Sequence, residues 1–536
     1  MTTTPPNASA QTVKAWLHDG NEIALLDLRE HGQYGESHLF YAIPLPYSQL
    51  EVRAPVLLAR YSVRTVIYDD GDASVTTPAY QRLMAMGFTD VTVLEGGTKA
   101  WQAAGYELFK GVNVPSKTFG EMVEHQLHTP SLTAEALFKR QQAGEKLVVL
   151  DGRPFEEFRK MSIPGAACCP NGELALRLGE FVEDEDTVVV INCAGRTRSI
   201  IGAQTLVDFG VRNPVFALEN GTQGWFLAGY QLNHGREQRH SQTLPHDLDQ
   251  RQEQAQNMAR RFAVPMLADH EAQAILDQSD SSAYLLDVRT PEEFAASTLP
   301  GARHAPGGQL IQANDQFVAV RSAKLVLFDS DGVRAPVVAS WMRQLGFHAS
   351  VLTDGIKSQV KAALAPESSL PKLPLIAITD LIEALRQQER VLVDLRSSAS
   401  FWKQHVTGSH WSIRPGLVAL AQALGKPLAL LTDRPALAQA AAIDLTEAGL
   451  PEPVLVDGSL ADCEAAGLST SSIENVNASQ GWLDYLFFVH DRHDGNREAS
   501  LQYLEWETGL LAQLDKQEKS AFQIGDQSAG PQASAT

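Results

Sequence analysis

The residues with the clearest capacity for chemistry lie in INCAGRTRSIIGAQTL, residues 191–206. Cys193 follows an apolar run, TVVVI, and one asparagine, and is followed by Ala194, Gly195, Arg196, Thr197, Arg198 and Ser199 before an amphipathic stretch begins. A strand that gives way to a helix through so short a loop can aim backbone N–H groups and the positive helix end at one atom. Arg196 and Arg198 add charge of the same sign. All of this favours thiolate over thiol at Cys193, and thiolate is the nucleophilic form. A persulfide at the same sulfur would be held by the same donors. Gly195 is expected to supply unusual backbone angles for a tight curl. The plainer reading, a small buried core cysteine, does not explain Gly, two Arg, Thr and Ser crowded beside it.

Elements that position such a loop follow from patterning. KLVVL, TVVVI and PVFAL are short and β-branched, which reads as buried strand. Between them lie helical stretches such as SIIGAQTLVDFG, closed by glycine. Strands alternating with helices predict an α/β fold, a mostly parallel sheet with helices on both faces, and a ligand at the strand ends.

The chain repeats this unit. ALLDLREHGQY, VVLDGRPFEEF, YLLDVRTPEEF and VLVDLRSSASF each end a strand in Asp-x-Arg: Asp27/Arg29, Asp151/Arg153, Asp287/Arg289 and Asp394/Arg396. A proline turn follows in three of them, as YAIPLP, SIPGAA and TLPGAR. LEGGTKAWQAAGYEL and LENGTQGWFLAGYQL are 124 residues apart, the same offset that separates Asp27 from Asp151. Equal offsets at two distant markers indicate duplicated domains. The expected divisions are 1–112, 113–235, 236–365, a degenerate unit 366–465, and a helical C-terminal extension 466–536 with a disordered tail.

The Asp-x-Arg strand end, IPGA, CAGRTRS and the GGxxxW element together resemble the rhodanese sulfurtransferase family, over four tandem units. The resemblance implies transfer of sulfane sulfur. A small anionic donor such as thiosulfate loads Cys193, residues 194–199 bind it, and a thiol, cyanide or a protein accepts the sulfur; no cofactor is implied. Phosphatases of the same fold carry their arginine six positions after the cysteine. Here Ser199 holds that position and Arg198 lies five after, which suits one sulfur atom better than a phosphate. A binding scaffold with vestigial chemistry is the other alternative. 3-Mercaptopyruvate, glutathione persulfide and protein persulfides stay open as donors.

The other units hold no cysteine in this loop. Alignment on the loop glycine places Asp69, Ser330 (to within one residue) and Asp433 at the cysteine position. Arg153 is a candidate for attracting the donor, but Arg29, Arg289 and Arg396 recur without a cysteine, so an ion pair with Glu156 or Glu157 is the favoured reading. Cys169, beside Cys168, is a candidate resolving thiol, with small buried residues the favoured alternative; Cys463 stands alone. Trp225 reads as core packing. His490, His493 and Asp494 read as a turn and helix cap rather than a metal site.

Composition sets the outer bounds. With 536 residues, several domains are required. A formal net charge of −20 argues against nucleic acid and anionic membranes as partners. No charged and apolar leader is read at MTTTPPNASA, and no apolar run is long enough to span a bilayer. Four cysteines without disulfide or zinc spacing suit a reducing, cytoplasmic setting.

Overall fold

The computed structural model describes residues 5–364, 369–474, 476–477, 481–489, 492–493 and 495–526. Two compact units emerge, one formed by 1–16, 24–112 and 365–488, the other by 17–23, 113–364 and 489–536. The first and fourth repeats therefore share one unit, and the second and third share the other.

Each repeat builds the same parallel sheet. In the second repeat the order is Ser131–Leu132, Val215–Leu218, Val188–Asn192, Leu147–Asp151, Ala167–Cys168. In the third it is Met266–Leu267, His348–Leu352, Lys324–Phe328, Ala283–Asp287, Arg303–His304, and the fourth repeats the pattern from Leu375–Ala377 to His410–Trp411. In the first repeat, strand Ile23–Asp27 lies between Thr65–Tyr68 and Ile43–Pro44 in the same way. Burial on both faces explains why central strands such as Val188–Asn192 are buried throughout. Phe158, Leu137, Val149, Val190 and Trp225 pack into one core cluster of the second repeat, Trp225 as expected.

The Asp-x-Arg signature is a staple made four times. Arg153 turns back on Asp151 with Nε and Nη2 at 2.8 and 2.7 Å, and Nη2 also donates to the Met161 carbonyl. Arg29, Arg289 and Arg396 do the same with Asp27, Asp287 and Asp394, each reaching a carbonyl eight residues on. The partner of Arg153 is thus Asp151 and not Glu156 or Glu157, because the side chain folds back along its own strand end.

Within the first unit, Arg414 bridges Glu51 and Asp444 at 2.9 and 2.8 Å. In the second, Arg334 reaches Glu173 at 2.9 Å, and the Trp341 indole N–H donates to Thr205 Oγ1 at 2.8 Å. The connection around Pro115 holds helix Val114–Leu127, with proline in its first turn where the missing N–H costs nothing. The C-terminal extension forms helix Arg497–Gln513, capped by the Asn496 side chain on the Ala499 N–H at 3.0 Å. Both helices pack beside the second repeat. Among the described residues no helix is long and apolar enough to cross a membrane.

Candidate active site

Strand registers locate the cysteine position in each repeat. The N–H after the Asp strand bonds the last carbonyl of the neighbouring strand: Leu28 to Tyr68, Gly152 to Asn192, Val288 to Phe328, Leu395 to Leu431. The next residues are therefore equivalent, and they are Asp69, Cys193, Asp329 and Thr432. Asp69 agrees with the expectation from sequence. Asp329 lies within the one residue left open around Ser330; Asp433 does not agree, because the strand end, rather than the loop glycine, sets the register.

The sister loops reveal what this position does. The Asp69 carboxylate accepts from the N–H groups of Gly71, Val75 and Thr76 at 2.7, 3.4 and 3.3 Å. That of Asp329 accepts from Asp331, Gly332 and Ala335 at 3.3, 2.8 and 2.7 Å. Each loop curls its backbone donors around an anion at its first residue, a nest of the kind that suits anionic groups. In the second repeat that residue is Cys193, and Ser199 stands six positions on, as Val75 and Ala335 do in the sister loops.

Packing holds the Cys193 loop from two sides. Thr222 N–H donates to the Cys193 carbonyl at 2.8 Å, and the Gln223 backbone and side chain both donate to that of Ala194. Asn171 Nδ2 donates to the Arg198 carbonyl at 2.9 Å. Gly221 has φ +53°, and a Cβ there would lie 2.3 Å from the Cys193 carbonyl oxygen. Gly195 is glycine for room and not for backbone angle. Its φ is not left-handed, and a Cβ would meet Glu507 Oε2 and Tyr503 Cε1 at 2.9 Å.

Both arginines are already engaged. Arg198 grips Glu157 through two nitrogens at 2.8 Å each. Arg196 pairs with Glu121 at 2.7 Å and with Glu124, both on helix Val114–Leu127. Arg196 is thus not a free cation of the loop, because this helix brings two carboxylates over it.

The C-terminal helix closes the site. Thr197 Oγ1 donates to Glu507 Oε1 at 2.9 Å. Lys117 Nζ donates to Tyr503 Oη at 2.7 Å and lies 4.5 Å from the Tyr503 and Trp506 ring centres. Cys193 is left 2% exposed. Burial pushes its thiol above the ordinary range and Glu507 adds to the rise, against Arg198 and Ser199, which lower it. The expected depressed thiol is therefore corrected: desolvation outweighs the loop's positive charge. Burial likewise brings the Lys117 ammonium down to about 7. Lys117, Tyr503 and Glu507 carry no local motif; the sole sequence signal is the i,i+4 spacing of Tyr503 and Glu507 in an aromatic helix.

The remaining candidates separate cleanly. Arg153 is buried and committed to Asp151. Cys168 and Cys169 are buried free thiols, pushed up by burial, Cys168 to about 12. Cys463 is also free and buried. His490 and Asp494 lie outside the described residues; His493 is held by burial and Arg492 down to about 3. Among the described residues no cluster could hold a metal ion.

Comparison with known proteins bears on the family and the fold. The rhodanese-like domain matches residues 9–104, 133–228 and 269–362. The crystal structure of a thiosulfate sulfurtransferase from Pseudomonas aeruginosa superposes with a TM-score of 0.89 at 39% identity, covering 97% of this chain and 100% of that one. "Putative thiosulfate sulfurtransferase SseB" of Mycobacterium tuberculosis is 27% identical over 213 residues, 32% of this chain and 73% of that protein. The HTH-type transcriptional regulator Rv0324 of the same organism is 33% identical over 105 residues, 20% of this chain; the chain spans 45% of that regulator's length.

Proposed function

The chain belongs to the rhodanese family and is a sulfurtransferase of that type, and from that premise we propose that it moves sulfane sulfur through a persulfide on Cys193. The Cys193 thiolate attacks the outer sulfur of a donor such as thiosulfate. A bond from Sγ to that sulfur forms, the bond to the sulfonate sulfur breaks, and the electron pair leaves on sulfite. An acceptor thiol or cyanide then attacks the outer sulfur of the persulfide and the cysteine thiolate is regenerated.

The observation that carries this reading is the loop's anion nest. In two sister loops it holds a carboxylate, and in the second repeat the equivalent position is Cys193. Backbone donors fixed before the reaction stabilise the charged sulfur of thiolate and persulfide without reorganising. Arg198, once drawn from Glu157, is placed to meet negative charge on the departing group. Residues 194–199 are the donor-binding segment. The repeats with Asp69, Asp329 and Thr432 cannot carry a persulfide, so their part is structural. Four free thiols fit the reducing, cytoplasmic setting.

Intact-mass analysis after incubation with thiosulfate tests the proposal. One added sulfur is expected on the wild-type chain, removable by cyanide and missing in Cys193→Ser. No added sulfur with thiosulfate or a persulfide donor, or an equal gain in the variant, would overturn it.

A further inference from the structure

The Cys193 loop meets a carboxylate brought from far along the chain. Glu507 is 1% exposed, on a helix 310 residues beyond Thr197. Its Oε1 takes the Thr197 hydroxyl, while its Oε2 has no hydrogen-bond partner and points at Gly195, where a Cβ would lie 2.9 Å away. A buried carboxylate oxygen left unmatched is costly unless a ligand uses it. The charges around it do not make a positive pocket. Arg198 is matched by Glu157 and Arg196 by Glu121 and Glu124. Lys117 donates to the neutral Tyr503 hydroxyl, and burial brings its ammonium down to about 7, so near neutral pH it is charged only in part; Arg492 stacks 4.1 Å from the centre of the Tyr503 ring. His493, beside Arg492, is held neutral at pH 7.

We propose that Glu507 is a specificity-determining residue that filters sulfur donors by charge at Cys193, disfavouring dianions such as thiosulfate and favouring persulfides of low net charge, R–S–SH. The proposal rests on the Cys193 reading above and narrows its donor class. In the favoured reaction the Cys193 thiolate attacks the terminal sulfur of R–S–SH. The Sγ–S bond forms, the S–S bond of the donor breaks with its electron pair leaving on R–S⁻, and the proton stays on the transferred sulfur. No dianion enters the loop, so Oε2 faces no repulsion, and a donor N–H or S–H can satisfy it. With thiosulfate, two negative charges meet the same oxygen in a water-poor site, where Coulomb repulsion is poorly screened.

Two nearly isosteric alkylating reagents read this charge directly. The rates of Cys193 modification by iodoacetate and by iodoacetamide are followed on the Cys193 peptide by mass. In the native wild type the iodoacetate-to-iodoacetamide ratio is expected to lie about tenfold below that of the same cysteine in the urea-unfolded chain. Glu507→Gln should raise the native ratio toward the unfolded one, whereas Glu507→Asp, which keeps the charge, should not. In parallel, kcat/KM for thiosulfate relative to cysteine persulfide should rise about tenfold in Glu507→Gln. A native wild-type ratio equal to the unfolded one overturns the charge filter, whether or not the variant folds. A shifted ratio with no sulfur loaded from either donor by either protein sinks the sulfurtransfer reading and leaves the filter standing.

Discussion

Arg198 holds Glu157 with two parallel hydrogen bonds of 2.8 Å, so the arginine closest to the reacting cysteine in the loop already has an anion in its grip. Burial works to raise the Glu157 carboxyl, yet Arg198 holds it below its usual range. A donor must compete with this carboxylate. Glu157→Gln should therefore lower KM for thiosulfate about threefold to tenfold, and Arg198→Ala should raise KM and lower kcat. Steady-state kinetics of both variants decide the matter. Unchanged KM in both would mean that Arg198 never leaves Glu157.

Cys193→Ser should reduce sulfur transfer to the uncatalysed background while thermal unfolding stays close to wild type, since the replaced atom is similar in size and the loop donors remain. The wild-type thiol should alkylate with a pH midpoint above the free-cysteine value of about 8.5. The sign follows from burial, which disfavours the charged thiolate, so reactivity is low at neutral pH and grows as pH rises through the elevated value. A midpoint below 8.5 would show that the loop donors outweigh desolvation.

Removing Arg196 should cost stability rather than donor affinity alone. Arg196→Ala leaves Glu121, almost fully buried, and Glu124 without their cation, at about 2–4 kcal/mol. Burial already raises the Glu121 carboxyl to about 7 despite Arg196. Without the arginine it stays protonated in the folded chain to still higher pH. The deficit is then small near the unfolded carboxylate value and grows as pH rises. Denaturant titrations at pH 5 and 8 check this, and Arg196→Met with Glu121→Met should recover part of the loss. A deficit that shrinks as pH rises would contradict the assignment.

Gly221→Ala tests the seat of the loop. The added Cβ would sit 2.3 Å from the Cys193 carbonyl at φ +53°, so the loop must shift. Loss of about 2–4 kcal/mol and a fall in kcat of at least about tenfold are expected. Gly210, at φ +84° with nothing within 4 Å, is the control; its alanine variant should lose about 1 kcal/mol and keep kcat. Equal effects at both positions would mean that backbone strain alone, and not contact with the Cys193 loop, matters.

Short-range pattern carried much of this protein in plain sight. Runs such as TVVVI become strands buried on both faces because β-branched apolar residues leave no polar side to expose. The four Asp-x-Arg pairs mark strand ends because the arginine reaches only its own aspartate and a carbonyl eight residues on. The loop from Cys193 to Ser199 stood out for the same reason, since its cysteine, glycine and two arginines lie within seven residues. Three things were settled only in three dimensions. Strand register fixed the sister positions at Asp329, within the one residue left open from sequence, and at Thr432, which a glycine-based alignment misplaced. Helix Val114–Leu127 placed Glu121 and Glu124 on Arg196, and Glu157 met Arg198, turning expected donor-binding cations into ion pairs. Helix Arg497–Gln513 carried Tyr503 and Glu507 onto the loop and buried the thiol. A side chain's charge is written in the sequence, but its solvation and its partners depend on which distant elements pack together, and those two quantities set the reactivity of Cys193.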